Sequence, residues 1–129
     1  TDEEISNAYD NTILYTDYFL SKVIALLKNN SQDSDTAMFY ISDHGESLGE
    51  GGLYLHGMPY FMAPEEQIKI PAFMWFDEGS KKVFDIDAIK KNSELEKSHD
   101  NLFHTLLGLM DVETELYQKD MDITTKYNP

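Results

Sequence analysis

An aspartate and a histidine stand side by side at Asp43 and His44, directly after an apolar run and directly before Gly45. A carboxylate oxygen beside an imidazole nitrogen is a pair of ligands that suits zinc or a similar divalent ion. Ligands of open α/β sheets bind just beyond the carboxyl ends of strands, which is where the pair lies if the run is a strand. We therefore predict that Asp43 and His44 bind a metal ion. The alternative is that Asp43 caps a helix and that His44 is an ordinary surface histidine whose ring nitrogens are hydrogen-bonded.

His56 is the second candidate, because a glycine-rich loop can bring it back over the same strand end. It lies in the segment Leu53–Gly57, twelve residues after His44. A histidine in that place can bind phosphate, act as a general acid or ligate a second metal. The spacing leaves one more alternative open, in which His56 is a loop residue that packs on Tyr54 or Tyr60.

The rest of a metal site is not evident in this sequence. A zinc site takes about four protein ligands, or about three with water or substrate, and the pair supplies two. Ser42 and Ser47 flank the pair, but the sequence positions no base beside either of them. His99 and His104 belong to a helical pattern, and we predict that both are structural. We therefore expect the other ligands and the nucleophile to lie outside this chain.

The charge of the chain restricts its partners and its means of holding phosphate. The 129 residues carry a net charge of −14, and all ten basic residues are lysines. Nucleic acids and anionic membrane surfaces bind positive charge, so neither is a predicted partner. Without arginine there is no bidentate fork for phosphate, so a metal ion would supply most of the positive charge. The absence of cysteine excludes disulfides and thiolate zinc sites within the chain.

Hydrophobic periodicity and turn residues predict an α/β chain. Thr1 and Glu4 have the spacing of a capping box for the first helix. Ser98 is the expected cap of the last helix, which we expect to be well buried. The predicted elements are a helix over residues 1 to about 29, a buried strand over 36–42, an irregular connection over 43–69, a strand over 70–76, a short helix around Ile86–Lys91, a helix over about 99–110 and a loosely patterned acidic tail over 111–129. Two strands cannot cover both faces of a parallel sheet, so we expect this chain to be part of a larger domain.

Five short segments, spread over residues 9 to about 112, form a pattern shared with a known family. They are Tyr9–Asp17, Ser42–Ser47, Leu53–Gly57, Ala63-Pro64 with Ile70–Ala72, and Ser98–His104. The segments resemble the C-terminal part of the phosphoethanolamine transferases, which belong to the alkaline phosphatase and sulfatase superfamily. The Asp-His-Gly-Glu core of the second segment is shared across that superfamily, whereas the five segments in this order are specific to the transferases.

The resemblance implies a fold and a location. The fold would be a three-layer sandwich with a mostly parallel central sheet, incomplete in this chain. Residues 1–129 would be the C-terminal portion of a single periplasmic catalytic domain, whose N-terminal half and membrane domain would precede them. The full protein would be anchored in the bacterial inner membrane with this segment on the periplasmic face, and the segment itself contains no run of 18 apolar residues.

The resemblance also implies an activity and a set of partners. The enzyme would transfer phosphoethanolamine from phosphatidylethanolamine to a surface glycolipid such as the lipid A of lipopolysaccharide. Asp43 and His44 would ligate a catalytic Zn²⁺, and His56 would bind substrate phosphate or a second zinc. A zinc-activated threonine nucleophile and a glutamate ligand would come from the remainder of the same catalytic domain, upstream of Thr1. We therefore expect no activity from this fragment alone.

Two other functions remain open at this point. A sulfatase, phosphatase or phosphoglycerol transferase of the same superfamily would share Asp43 and His44 but would not require His56 or the Tyr9–Asp17 segment. The identity of the upstream nucleophile would separate these enzymes from the transferases. The third possibility is a non-enzymatic, acidic interaction domain that contains the Asp-His pair by chance, and its metal content would identify it.

Overall fold

The computed structural model describes residues 1–125, which form two compact units: Thr1–Asp77 and a second unit that begins at Glu78. The helices and strands, in chain order, are α1 (Asp2–Asn30), β1 (Ala37–Ile41), β2 (Ser47–Leu48), β3 (Tyr54–Leu55), α2 (Glu65–Ile68), β4 (Ala72–Phe76), α3 (Ser80–Val83), α4 (Ile86–Ser93) and α5 (Asp100–Leu109), with 3₁₀ turns at Glu50–Gly52 and Lys119–Met121. The long first helix, the two longer strands, the short helix near residue 86 and the last helix are confirmed. Within residues 1–125, no helix combines the length and the hydrophobicity that a membrane crossing needs.

The first helix, α1, begins with the predicted capping box. The Glu4 amide donates to the Thr1 hydroxyl at 3.3 Å, and the Glu4 carboxylate accepts from the Thr1 amino group at 2.8 Å. The described chain buries none of the side chains of α1, and apolar residues such as Leu14 and Phe19 are largely exposed. The predicted helix is therefore correct, but residues 1–125 cover its apolar face only in part, around Leu20, Val23 and Leu27.

The two longer strands form an antiparallel pair. β1 and β4 run from Ala37 opposite Phe76 to Ile41 opposite Ala72. The short strands β2 and β3 are also antiparallel, so the predicted parallel arrangement is wrong for the strand pairs of the described chain. An apolar run indicates a strand but not the direction of its neighbour, and the connection from β1 to β4 contains a hairpin and a single helical turn instead of a crossover helix.

The expected deep burial of the strands is also not found. Among residues 1–125, the buried apolar side chains are Phe76 and Ile89. β1 is half-buried along most of its length. The β1–β4 pair thus lacks the burial that the central strands of a parallel sheet have.

The second unit is held together largely by polar side chains. The Asn92 amide donates to the carbonyls of Ile123 and Thr125 at 2.8 and 2.6 Å, and the Asn101 amide donates to that of Met121 at 2.8 Å. These bonds attach residues 121–125 to α4 and α5. The tail, predicted to be loosely patterned over 111–129, is therefore fixed as far as residue 125, and its last four residues lie outside the described chain.

The helix α5 differs from its prediction in burial. Its Phe103 and Leu106 side chains are exposed, and its buried residues are Asn101 and Thr105. The prediction of a well-buried apolar helix is therefore wrong. Ser98 acts near the helix start, where its hydroxyl accepts a hydrogen bond from the Asp100 amide at 3.2 Å.

Candidate metal centre

The end of β1 is held against the α2 segment by backbone hydrogen bonds. The Gly45 amide donates to the Gln67 carbonyl at 3.0 Å, and the Ser42 amide donates to the Pro71 carbonyl at 3.1 Å. A Cβ atom on Gly45 would lie 3.0 Å from the Glu66 carbonyl carbon and closer still to its oxygen. Gly45 is therefore needed because the two backbones approach too closely for any side chain.

The hairpin β2–β3 places two further candidate side chains opposite each other. Its register pairs Ser47 with Leu55 and Leu48 with Tyr54, so the next residues outward are Glu46 and His56. The turn between the strands contains Gly49, Gly51 and Gly52, all at positive φ. This turn closes the sequence gap between Glu46 and His56, because glycine adopts such φ values without the steric cost of a side chain.

The buried side chain of Gln67 is hydrogen-bonded to both of the segments that carry candidate site residues. Its amide nitrogen donates to the Ser47 hydroxyl at 2.9 Å, and its amide oxygen accepts from the Met58 backbone at 3.3 Å. Ser47 directly follows Glu46, and Met58 lies two residues after His56. Gln67 therefore fixes the two segments that carry the candidate site residues.

Three side chains converge at this place. The ligand atoms of His44, Glu46 and His56 all lie within 4.8 Å of one another. The two imidazoles are stacked with 3.7 Å between centroids, and His56 Nδ1 lies 2.9 Å from a Glu46 carboxylate oxygen. Two imidazoles and a carboxylate are a donor set that suits zinc. The prediction that the loop returns His56 to the end of β1 is therefore confirmed.

The pair Asp43 and His44 also has a geometry that fits a metal ion. His44 Nδ1 lies 2.8 Å from the Gly45 carbonyl oxygen, which can only accept, so Nδ1 carries the proton and Nε2 has a free lone pair. That Nε2 atom is 3.8 Å from Asp43 Oδ2. Two ligands of one tetrahedral zinc stand about 3.3 Å apart, so a small side-chain rotation would let both atoms bind one ion.

Sequence reasoning missed Glu46. The available signal was its position two residues after His44, since alternate residues of an extended segment point to the same side. The alternative placed His56 against Tyr54 or Tyr60. The His56 ring instead stacks on His44, the Tyr54 hydroxyl donates to Asp2 at 2.7 Å, and Tyr60 is 81% exposed.

The other two histidines lie in the second unit. His104 accepts a hydrogen bond from the Gln118 amide at 3.1 Å, as expected of a structural histidine. His99 occupies the N-cap position of α5. Neither belongs to the group of His44, Glu46 and His56.

The family model described as "Sulfatase" matches residues 1–112, and this chain belongs to the sulfatase family. The match includes the end of β1, the hairpin and α2. The candidate metal centre thus lies entirely within the part of the chain that defines the family.

Among curated relatives, the chain is 47% identical over 126 residues to phosphoethanolamine transferase EptA of Escherichia coli strain K12. This match covers 95% of the chain and 23% of the relative. The chain therefore spans about a quarter of the length of that relative, and the same holds for the EptA proteins of Escherichia coli O157:H7 and Salmonella typhimurium.

Two solved structures share the fold closely. The C-terminal periplasmic domain of phosphoethanolamine transferase EptC from Campylobacter jejuni has a TM-score of 0.87 at 46% identity, covering 100% of this chain and 41% of that domain. The integral membrane protein lipooligosaccharide phosphoethanolamine transferase A from Neisseria meningitidis has a TM-score of 0.90 at 46% identity, covering 96% of this chain and 24% of that protein. The chain thus has the fold of a segment of these transferases.

Proposed function

We propose that the protein containing this chain transfers phosphoethanolamine from phosphatidylethanolamine to a surface glycolipid such as lipid A. The observation that carries the proposal is the convergence of His44, Glu46 and His56 beside Asp43 at the end of β1. Family membership and the names of the relatives support this choice of reaction among those that such a site can perform. The proposed location is the periplasmic face of a bacterial inner membrane.

The residues of the site have separate proposed roles. Asp43 and His44 would hold a Zn²⁺ ion, which would supply positive charge for the developing phosphoryl charge and for activation of a threonine hydroxyl. His56 would bind the phosphate of the substrate. The Glu46 carboxylate holds Nδ1 of His56, so Nε2 of His56 is left to face a ligand. In a chain without arginine, a histidine oriented in this way is a suitable partner for phosphate.

The threonine nucleophile, a glutamate ligand and the remaining strands would come from another part of the same catalytic domain. The partly covered apolar face of α1 and the half-buried β1 support this proposal, because such surfaces are stable when further elements pack on them. The complete domain would then be a three-layer sandwich with a mostly parallel sheet, in which the antiparallel β4 accompanies β1.

A zinc titration tests the proposed ligands. We expect the full chain to bind zinc, and we expect His44→Ala and Asp43→Ala to weaken the affinity at least tenfold in isothermal titration calorimetry. His104→Gln is the matched control, because it changes a histidine outside the site and should leave the affinity unchanged. Equal affinity in all four proteins would refute these ligands.

An activity assay on the intact protein tests the reaction. We expect it to transfer the headgroup of labelled phosphatidylethanolamine to lipid A, to lose this activity on chelation and to regain it with zinc. Hydrolysis of aryl sulfates or phosphate monoesters without headgroup transfer would instead establish one of the other superfamily reactions. Activity that survives both chelation and His44→Ala would overturn the metal mechanism.

A further inference from the structure

Four large apolar side chains flank His56 and stand in solvent, and we call them the apolar rim: Leu55, Tyr60, Phe61 and Met62. Their exposed fractions are 68%, 81%, 85% and 58%. Leu55 directly precedes His56, and the other three begin four residues after it. An exposed cluster of this kind marks an interaction surface, because solitary exposed apolar residues are common but consecutive ones are not.

The backbone imposes the exposure of the apolar rim. The amides of Met62 and Ala63 both donate to the Pro59 carbonyl, at 2.8 and 2.9 Å, which closes a turn behind Tyr60 and Phe61. Leu55 has a φ of 66°, a left-handed conformation that is unfavourable for leucine. A strained backbone next to a site residue indicates a conformation kept for function. The rim is thus presented by defined turns of the chain.

The charge pattern indicates what covers the rim. Residues 51–64 contain no aspartate, glutamate or lysine, in a chain of which 26% is charged. A charged group that leaves water carries a large desolvation cost, so this stretch can enter an apolar environment with little penalty. The exposed face of α1 is different, because Asp10, Asp17 and Lys22 lie among its apolar residues.

We propose that the apolar rim docks on the polar–apolar interface of a phospholipid bilayer and thereby brings His56 to the level of the headgroups. This inference rests on the proposed function, in which the donor is a membrane lipid. Leucine, phenylalanine and methionine would enter the outer acyl region, and the tyrosine would stay at the interface. Because the net charge is −14, the attraction is hydrophobic, and anionic lipid should weaken it. The similar Neisseria meningitidis transferase is an integral membrane protein, which agrees with a site that works at a bilayer.

Photo-crosslinking in the intact protein tests the docking directly. Benzoylphenylalanine is placed at position 61 in place of Phe61, and the protein is irradiated in phosphatidylcholine vesicles that contain no phosphatidylethanolamine. Position 83 serves as the matched control, because the exposed fraction of Val83, 67%, lies within the range of the rim residues. Mass spectrometry then identifies whether each position is joined to lipid or to protein.

We expect position 61 to yield at least fivefold more lipid adduct than position 83. Two results would overturn the proposal: equal lipid adducts at positions 61 and 83, or no lipid adduct at position 61. Crosslinks from position 61 to protein alone would mean that another segment covers the rim. The choice of phosphatidylcholine keeps this test separate from the proposed reaction. A protein that crosslinks to lipid but transfers no headgroup would refute the reaction and leave the docking intact, and the reverse result would refute the docking.

Discussion

Gly45→Ala is the substitution that most directly tests the close packing beneath the metal centre. The added Cβ would lie 3.0 Å from the Glu66 carbonyl carbon and 3.2 Å from that of Gln67, and would overlap the Glu66 oxygen. These are backbone atoms, so no side-chain rotation relieves the contact. We expect overpacking to lower the free energy of unfolding by about 2 kcal/mol. Distortion of the Gly45–Gln67 hydrogen bond should lower it by about 1 kcal/mol more, for a total of about 3 kcal/mol.

Gly51→Ala is the matched control for this substitution. Apart from its chain neighbours, no atom of residues 1–125 lies within 4 Å of a Cβ at Gly51, whose φ is 60°, so the expected cost is the left-handed conformation alone, about 1 kcal/mol. Urea unfolding of both variants, followed by circular dichroism, measures the difference. Equal losses in the two variants would refute the close approach. We also expect Gly45→Ala to weaken zinc binding at least tenfold, because Gly45 directly follows the proposed ligands Asp43 and His44.

Three further predictions each concern a single residue. Gln67→Leu leaves the buried Ser47 hydroxyl and the half-buried Met58 amide without their partner, and should lower the free energy of unfolding in urea by about 2 kcal/mol; an unchanged stability would contradict the role of this amide. Burial, together with the hydrogen bond to Asp122, raises the pKa of Tyr117 to about 12. The unfolded chain loses this proton near pH 10, so folding stability should fall as the pH rises from 10 to 12, and Tyr117→Phe should remove that part of the decline; identical pH profiles would contradict the assignment. Leu55→Gly relieves a φ of 66° and should stabilise the chain by up to about 1 kcal/mol, whereas Leu53→Gly, at a φ of −94°, should destabilise it by about 0.5–1 kcal/mol; equal effects would show that Leu55 is unstrained.

The elements that the sequence predicts well are those defined by local signals. The capping box of Thr1 and Glu4 forms as expected, and the apolar runs become β1 and β4. The direction of β4 could not be predicted, because a run of apolar residues has the same pattern in a parallel or an antiparallel pair. The burial of the strands and of α5 was also overestimated. An apolar sequence indicates that an element should be buried, but it does not indicate whether the residues that bury it belong to residues 1–125.

The candidate site was predicted in outline through residue type and strand position. Asp43 and His44 were identified because they follow an apolar run, and His56 because a loop could return it. Glu46 was missed because its role depends on the β2–β3 register, which pairs residues that are distant in sequence. Gln67 was missed because a buried amide that links two segments leaves no periodic signal.

The register of β2 and β3 explains why the turn between them is rich in glycine. Gly49, Gly51 and Gly52 lack the spacing and lysine of a nucleotide-binding loop, and all three adopt positive φ in the turn that sets Glu46 opposite His56. A Cβ at Gly49 would press on the Tyr54 ring at 3.2 Å.

Tyr54 connects this turn to the start of α1, because its hydroxyl donates to the Asp2 carboxylate at 2.7 Å. A change at Gly49 would therefore act on the site through two routes, by altering the hairpin register and by loosening the contact with α1. The backbone conformation of the turn thus sets Glu46 opposite His56, and the hydrogen bond from Tyr54 to Asp2 links β3 to the start of α1. For this reason the metal centre depends on residues such as Gly49 and Tyr54, which are not themselves candidate metal ligands.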